Sequence, residues 1–375
     1  MFSFIHSSDL HLGKPFGRFG EDLRVRLREA RHQKISRLAT EARRTGASHV
    51  LLAGDTFDAE TPPPQILRQA IRAFAEEKDI IWVLLPGNHD SLLATELWAR
   101  FEKERPENVV LALQEGATEL APGVELLAAP CPVRHAGRDL TEWMDRAETR
   151  HGALRLGLAH GPIQGFSEED APRDIIAPDR AERARLDYLA LGDWHGRLAV
   201  SPKCHYPGAP EADSFKHGRT SCALHVVLTA SGAAPNVTEI ETGELSWIGL
   251  DLDFRPGDDP RKRLEAALPA AAGRRDTLVR LAARGRLSLA ERASLDHAIV
   301  DLADDFGSFE VDLDRLDLDH ETADLDEIDM RGGALRTAAA RLLAGAEDMD
   351  ADAETRRVRK AALARLYSYA LAARG

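Results

Sequence analysis

The stretch Phe4–Gly13 reads FIHSSDLHLG and places two polar side chains directly after an apolar strand. These side chains belong to Asp9 and His11, which are separated by one residue. Such pairs occur by chance in many chains, and aspartate is common in the turn after a buried strand. The stretch therefore indicates a functional site only if other strands of the chain end in the same way.

Four further apolar stretches end in the same types of residue. They read VLLAGDTFD at 50–58, IWVLLPGNHDS at 81–91, LRLGLAHGP at 154–162 and LALGDWHG at 189–196. The candidate functional residues of the five stretches are Asp9, His11, Asp55, Asp58, Asn88, His89, Asp90, His160, Asp193 and His195. Ligand sites in α/β sheets form beyond the carboxyl ends of strands, so we expect these side chains to meet there.

Each cluster also has a simpler explanation. An aspartate after a strand is a common turn residue, Asn88 can cap the next helix, and a lone histidine such as His160 is more often structural. Five such strand ends in chain order form a much more specific pattern than any one of them. We interpret the set as a metal centre built from oxygen and imidazole ligands.

Short apolar runs alternate with longer amphipathic segments, which favours an α/β fold. The predicted strands are 2–7, 50–53, 80–85, 124–128, 154–159, 188–191, 222–228 and 236–240, and the predicted helices are 21–44, 64–78, 95–103, 140–149 and 353–373. The composition changes after about Gly243. We therefore predict a main domain at 1–243, a smaller α+β accessory domain at 244–330 and a helical segment at 331–375 that could dock a partner.

The composition of the 375 residues, of which 43% are hydrophobic, indicates a globular protein. No apolar run approaches the ~20 residues that span a bilayer. The N-terminus lacks a basic segment followed by a long apolar one, so we expect no signal peptide. The cysteines, at 131, 204 and 222, form no CxxC pair, which predicts a reducing cytoplasm and argues against thiolate metal sites.

The net charge of −13 argues against strong capture of nucleic acid by this chain alone. Positive charge is concentrated in 21–44, after Lys14 and Arg18, and could contact DNA phosphates; a solvated amphipathic helix is the other interpretation. The run 301–329 is strongly acidic, and we interpret it as solvated surface that would repel DNA.

Hydrolysis of a phosphate ester would use these residue types. Two cations about 3.5–4 Å apart neutralise the ester, lower the pKa of a bound water and hold the attacking and leaving oxygens. Two ions this close need a bridging carboxylate, for which Asp55 is the candidate. Carboxylate, imidazole and amide ligands suit Mn²⁺, Mg²⁺ or Fe²⁺ better than structural Zn²⁺. His89 could protonate the leaving oxygen, with Asp58 or Asp90 holding its ring.

The motifs SDLHLG, GDTFD, GNHD, AHG and GDWHG together resemble those of calcineurin-like metallophosphoesterases. HSSDLHLGKPFG and YLALGDWHG are most similar to DNA repair exonucleases of the SbcD type, which are the nuclease partners of an SMC-like ATPase. The resemblance covers 2–196 and continues weakly through YPGAPEADSF at 206–215. It implies two packed mixed β-sheets flanked by helices, a DNA substrate, an ATPase partner and a possible homodimer.

The resemblance also implies a role for each motif residue. One metal ion would be held by Asp9, His11, Asp55 and His195, and the other by Asp55, Asn88, His160 and Asp193. His89 would be the catalytic histidine, and Asp58 occupies the position from which many of these enzymes orient it. The nearest nucleases have histidine at the position of Asp193. A carboxylate there either binds the metal directly or hydrogen-bonds a ligand.

Three functions follow from this pattern. The first is a two-metal phosphodiesterase that cleaves DNA as an exonuclease or endonuclease in DNA repair, with Mn²⁺ as the expected ion. The second is an enzyme of the same superfamily that acts on nucleotides or phosphoproteins. The third is a weakly active adaptor for an SMC-like ATPase, with Asp193 altering the second metal site.

Overall fold

The computed structural model describes residues 1–164, 175–216, 221–319 and 333–372. The chain divides into two compact units, Met1–Leu245 and Ser246–Gly375. This division falls two residues after the predicted end of the main domain. The further division that we predict at residue 331 stays a prediction.

The first unit is built from two six-stranded sheets. Its strands are β1 (Phe2–Ser7), β2 (His49–Leu52), β3 (Ile81–Leu84), β4 (Val109–Leu111), β5 (Gly116–Ala121), β6 (Val124–Ala129), β7 (Leu154–His160), β8 (Tyr188–Gly192), β9 (Leu198–Ser201), β10 (Cys204–Tyr206), β11 (Cys222–Leu228) and β12 (Asn236–Glu241). The strand orders are β12-β11-β1-β2-β3-β4 and β5-β6-β7-β8-β10-β9. Strands β1 to β4 are mutually parallel, as are β6, β7, β8 and β10, so the carboxyl ends in each set point the same way.

Helices and short 3₁₀ turns cover the outer faces of the two sheets. The helices of this unit are α1 (Glu21–His32), α2 (Lys34–Thr45), α3 (Pro64–Glu76), α4 (Thr95–Lys103) and α5 (Arg180–Arg183). An inner core lies between the sheets and includes Phe4 and Val83 from the first sheet and Leu156 and Tyr188 from the second. Separate cores pack helices against the first sheet and the 3₁₀ and α5 region against the second. The expected fold of two packed mixed sheets flanked by helices is confirmed.

Two helix predictions differ from the structure. The predicted helix 21–44 is two helices that meet at Gln33, and the predicted helix 140–149 is only a 3₁₀ turn, Glu142–Arg146. In the second case, Asp139 accepts hydrogen bonds from the backbone and hydroxyl of Thr141 and from Arg180. The turn ends after Arg146 because Ala147 is in an extended conformation, with ψ of 129°.

The basic segment after the first motif is largely engaged within the protein. Arg31 and Lys34 are buried, and Lys34 Nζ lies 2.7 Å from Glu211 Oε2. Arg37 and Arg44 both pair with Glu41. The cations of α2 are therefore engaged in contacts within the protein, whereas Arg26 and Arg28 of α1 are exposed, and contact of this segment with DNA stays a prediction.

The second unit contains a parallel three-stranded sheet in the order β13-β14-β15. Its elements are β13 (Ser246–Phe254), α6 (Pro260–Ala267), β14 (Thr277–Ser288), α7 (Leu289–Ala303), β15 (Ser308–Asp319), α8 (Ala334–Glu347) and α9 (Ala353–Ala372).

The interpretation of 301–329 as solvated surface is incomplete, because β15 lies within it. Several of its carboxylates form ion pairs, including Glu310 with Arg280 and Asp317 with Lys360. The part at 320–329 lies outside the described residues.

Within the described ranges, no helix is long and apolar enough to cross a bilayer.

Candidate metal centre

The loops that follow β1 and β2 run side by side and are joined by their backbones. The N–H of Asp9 donates to the carbonyl of Gly54 at 3.1 Å, and the N–H of His11 donates to the carbonyl of Asp55 at 2.9 Å. A parallel bridge between Leu12 and Phe57 extends the contact. The first two motifs are thus fixed to each other without the use of their side chains, which remain available for ligands.

Backbone strain is concentrated at the candidate ligands. Among the described residues, six non-glycine residues have positive φ, and four of them are Asp9, His11, Asp55 and Asp193. This conformation costs free energy in an L-residue and persists only where the surrounding structure holds it. Its occurrence at four predicted ligands, contributed by three separate strands, supports a functional role for this edge of the sheets.

Two glycines allow the motif loops to approach each other closely. Gly54 has φ of +91°, and a Cβ there would lie 2.2 Å from Nδ1 of His160. A Cβ on Gly87 would lie 2.2 Å from Oδ1 of Asp55 and 2.4 Å from its backbone nitrogen. Any larger residue at either position would displace a candidate ligand. The glycines of the GDTFD and GNHD motifs therefore have a steric explanation.

Asp9, His11 and His195 form one group of candidate ligand atoms. Their ligand atoms lie within 4.8 Å of one another. Nε2 of His11 is 3.1 Å from Nε2 of His195, and Asp9 Oδ1 is 4.0 Å and 3.8 Å from these two nitrogens. Two imidazole nitrogens and a carboxylate that face a common point are a typical donor set for a divalent cation.

A second group contains His160, Asn88 and Asp193. Nδ1 of His160 donates to the carbonyl of Ala53 at 2.8 Å, which leaves Nε2 directed into the site. That Nε2 is 3.7 Å from Asp193 Oδ1, and the same carboxylate oxygen accepts a 2.9 Å hydrogen bond from the Asn88 amide. The structure therefore brings Asp193 beside two candidate ligands, and its contacts fit both roles expected for it, a direct metal ligand or a hydrogen-bond partner of one.

Asp55 lies between the two groups. Its Oδ2 is 3.6 Å from Nε2 of His11 and 3.5 Å from Nε2 of His160. Its other oxygen, Oδ1, accepts the backbone N–H of His89 at 2.9 Å. One carboxylate oxygen thus faces ligand atoms of both groups, as a bridging ligand of two adjacent cations would.

Several ligand atoms are buried without a hydrogen bond. Within the described residues, Asp9 Oδ1, Asn88 Oδ1 and His160 Nε2 have no hydrogen-bond partner. A buried polar atom without a partner is destabilising by ~1–3 kcal/mol, so native structures rarely retain several together. Their convergence with two further imidazoles and a carboxylate fits a pair of bound divalent cations.

The pKa values of the candidate ligands indicate an excess of negative charge in the site. Burial raises the pKa of Asp55 to about 8, and the nearby carboxylates of Asp90 and Asp9 add to the rise. Burial alone would lower the pKa of His160, but the carboxylates of Asp55, Asp9 and Asp193 raise it to about 9. Carboxylates crowded in this way are stabilised by protons or by cations, and divalent ions supply the greater charge.

His89 and Asp58 are in contact, but not through the carboxylate. Nδ1 of His89 lies 2.9 Å from the backbone carbonyl of Asp58, while the Asp58 carboxylate lies 3.2 Å from Nδ1 of His11. The Asp90 carboxylate accepts the N–H groups of Phe57 and Gly87. The expected orienting contact to His89 is thus made by the Asp58 main chain, because the side chains of Asp58 and Asp90 are directed elsewhere.

Asp213 belongs to the site and is not among the residues predicted from the sequence. Its carboxylate lies 3.2 Å from Nδ1 of His195 and 2.7 Å from Nζ of Lys14. It is part of the stretch 206–215, which carries only a weak resemblance and no ligand spacing. Only the fold brings it beside His195.

A two-sheet fold with such a centre defines a metallophosphoesterase. The chain belongs to the calcineurin-like phosphoesterase family, whose model matches residues 2–197. It is 28% identical over 228 residues to the uncharacterized metallophosphoesterase YhaO of Bacillus subtilis (strain 168), a match that covers 57% of this chain and 54% of that protein. The chain therefore spans about half the length of this curated relative.

Two solved structures are similar to this chain at low sequence identity. The protein TT1561 of Thermus thermophilus is 14% identical with a TM-score of 0.37, over 56% of this chain and 89% of that one. A dimetal phosphatase from Danio rerio, LOC 393393, is 12% identical with a TM-score of 0.37, over 63% of this chain and 98% of that one.

Proposed function

We propose that the protein is a metal-dependent phosphodiesterase that hydrolyses DNA, as an exonuclease or endonuclease of the SbcD type. The observation that carries a two-metal reaction is the position of Asp55 Oδ2, 3.6 Å from His11 Nε2 and 3.5 Å from His160 Nε2. The family, calcineurin-like phosphoesterase, supports hydrolysis of a phosphate ester. The choice of DNA rests on the resemblance of the first and last motifs.

The ligand atoms fall into two sets that share Asp55. One cation would be held by Asp9, His11, Asp55 and His195, and the other by Asp55, Asn88, His160 and Asp193. When bound, such ions would neutralise the ester and lower the pKa of a water molecule so that it could attack the phosphorus. Hard oxygen ligands together with imidazoles favour Mn²⁺, with Mg²⁺ and Fe²⁺ as alternatives.

His89 is placed to deliver a proton to the leaving oxygen. The Asp58 carbonyl can only accept a hydrogen bond, so Nδ1 of His89, 2.9 Å away, keeps its proton. Nε2 is then the ring nitrogen that can gain and release a second proton. The backbone N–H of the same residue is held by Asp55, which fixes the ring relative to the candidate bridging ligand. This geometry suits a general acid.

Charge in the site favours a diester over a monoester. Asp193 adds a carboxylate at a position where the nearest nucleases have a histidine. A monoester dianion carries one more negative charge than a diester anion and is repelled more strongly by that carboxylate. DNA, which offers singly charged diesters, is the better substrate for such a site.

Binding of DNA is expected to depend on a partner. The net charge is −13, and Arg31, Lys34, Arg37 and Arg44 are engaged in contacts within the protein. An SMC-like ATPase would supply positive charge and so strengthen the DNA binding of this acidic chain. A possible homodimer would add a second copy of the site.

The test is degradation of linear DNA by the purified protein with Mn²⁺, compared with His89→Ala. We expect the variant to bind as much Mn²⁺ as the original protein and to lose at least about 100-fold in rate, as removal of a general acid does. His32→Ala, which changes a histidine on α1, is the matched control and should keep full activity. Equal DNA cleavage by His89→Ala would contradict the assignment.

Substrate class is tested separately with bis-p-nitrophenyl phosphate, p-nitrophenyl phosphate, cyclic nucleotides and DNA. Strong turnover of the monoester without DNA cleavage would favour a phosphatase acting on nucleotides or phosphoproteins. Binding of fewer than two Mn²⁺ ions per chain, together with binding of an SMC-like ATPase, would instead favour an adaptor.

A further inference from the structure

We propose that Asp213 is a positioning residue that fixes the imidazole of His195 with its Nε2 directed into the metal centre. This inference rests on the proposed role of His195 as a metal ligand. It assigns a function to a residue outside the five motifs, and it predicts that metal affinity depends on a carboxylate that touches no metal.

The carboxylate of Asp213 makes a close and buried contact with the ring. Its Oδ2 and Oδ1 lie 3.2 Å and 3.3 Å from Nδ1 of His195, and its side chain is only 5% exposed. On the other side of the ring, Nε2 of His195 lies 3.1 Å from Nε2 of His11. The two nitrogens of His195 therefore face different groups, a carboxylate on one side and the metal centre on the other.

This contact selects one tautomer of His195. An ionised carboxylate can only accept a hydrogen bond, so Nδ1 carries the proton and the lone pair of Nε2 is presented to a cation. His160 is held in the same tautomer, with the proton on Nδ1, but its acceptor is the neutral carbonyl of Ala53. A charged acceptor makes an imidazole a stronger electron donor than a carbonyl does, so His195 should be the tighter of the two ligands.

Asp213 is itself tied to the first motif. Lys14 Nζ lies 2.7 Å from Asp213 Oδ2, and the backbone N–H of Lys14 donates to the carbonyl of His11. Arg31 donates to the carbonyls of Asp9, Leu10 and Glu211 at 2.8, 2.7 and 2.9 Å. The segment that carries Asp213 is thus fastened to the loop that carries two candidate ligands. This arrangement holds the carboxylate in place against His195.

The test measures metal affinity directly, by calorimetric titration of metal-free protein with Mn²⁺. We expect Asp213→Asn to weaken binding about 10–100-fold, the effect typical of removing a partner of a ligating histidine. Asp213→Glu, which keeps the charge one methylene further out, should lie between Asn and the original protein. The visible absorption spectrum of the Co²⁺-loaded protein should change in Asp213→Asn, because the spectrum reports the ligand geometry.

Asp187→Asn is the matched control. Asp187 is also a buried aspartate, and it accepts the backbone N–H groups of Arg155 and Gly232 at 2.8 and 2.6 Å, outside the metal centre. This substitution should lower the melting temperature of the metal-free protein while it leaves Mn²⁺ affinity and the Co²⁺ spectrum unchanged. Thermal melting in EDTA confirms that each variant is folded before titration.

The outcomes separate this inference from the proposed function. Loss of Mn²⁺ affinity in both Asp213→Asn and His195→Ala, but not in Asp187→Asn, would support both. Unchanged affinity and an unchanged Co²⁺ spectrum in folded Asp213→Asn, with a loss in His195→Ala, would overturn the role of Asp213 alone. Unchanged affinity in His195→Ala would overturn both the ligand assignment and the inference that rests on it.

Discussion

Gly87 lies so close to Asp55 that the addition of one methyl group should disturb the metal centre. A Cβ at this position would be 2.2 Å from Asp55 Oδ1 and 2.4 Å from the Asp55 backbone nitrogen. Real Cβ atoms do not approach other atoms this closely, and the second contact is with the main chain, which cannot turn aside. The φ angle of Gly87 is not in the left-handed region, so steric overlap is the main effect of Gly87→Ala.

The expected magnitude follows from overpacking of a buried site. Insertion of a methyl group into a packed region destabilises a protein by about 1–3 kcal/mol. At ~2–4 °C per kcal/mol for a unit of this size, the melting temperature should fall by roughly 2–12 °C. A shift of the Asp55 carboxylate by about 1 Å would also lower catalytic rate by ~100-fold.

The assay combines thermal melting in EDTA, titration with Mn²⁺ and hydrolysis of bis-p-nitrophenyl phosphate. Gly17→Ala is the control, because a Cβ at Gly17 would meet no atom within 4 Å. We expect it to change stability by less than about 0.5 kcal/mol and to keep metal affinity and activity. If Gly87→Ala matched Gly17→Ala in all three measurements, the steric argument for the GNHD motif would be refuted.

Two further substitutions test charge and protonation. Burial lowers the pKa of His49 from 6.5 to about 4, so the unfolded chain binds protons more readily, and stability should fall by roughly 2–3 kcal/mol as the pH drops from 6.5 to 4. In His49→Leu, the free energy of unfolding measured with urea should depend less on pH between 6.5 and 4. An unchanged pH dependence would show that another group is responsible. Asp193→His should raise the ratio of monoester to diester turnover at least about fivefold, since one repulsive charge is removed. A ratio that stays constant in the p-nitrophenyl assays would contradict the charge argument for a diester substrate.

The strands that carry the motifs could be predicted because they are buried on both faces and end in polar residues. Phe2–Ser7 and Cys222–Leu228 have the predicted bounds, and the other predicted strands differ by one residue at one or both ends. In the first unit, β4, β9 and β10 were missed, since three or four residues of mixed polarity give no clear period. The six-residue strand β5 was also missed, because all of its residues are at least partly exposed. The acidic run has the exposed carboxylates that the sequence indicated, but the strand within it was missed because these charges obscure the apolar residues of β15, such as Phe309.

In the candidate site, the motif residues could be predicted from the sequence, whereas the groups that position them could not. The spacing within each motif indicated ligands, and parallel strands bring them to one edge of each sheet. Asp213 was missed because a residue that orients a ligand needs only a position in space, not a spacing in the sequence. The main-chain contact from Asp58 to His89 was also beyond prediction, since any residue type supplies a carbonyl.

The most direct measurement is a crystal structure of protein grown with Mn²⁺, with anomalous scattering recorded at the manganese edge. The account predicts two anomalous peaks about 3.5–4 Å apart, as in other two-metal sites, with Asp55 bound to both. A single peak, or two peaks of which only one contacts Asp55, would contradict it.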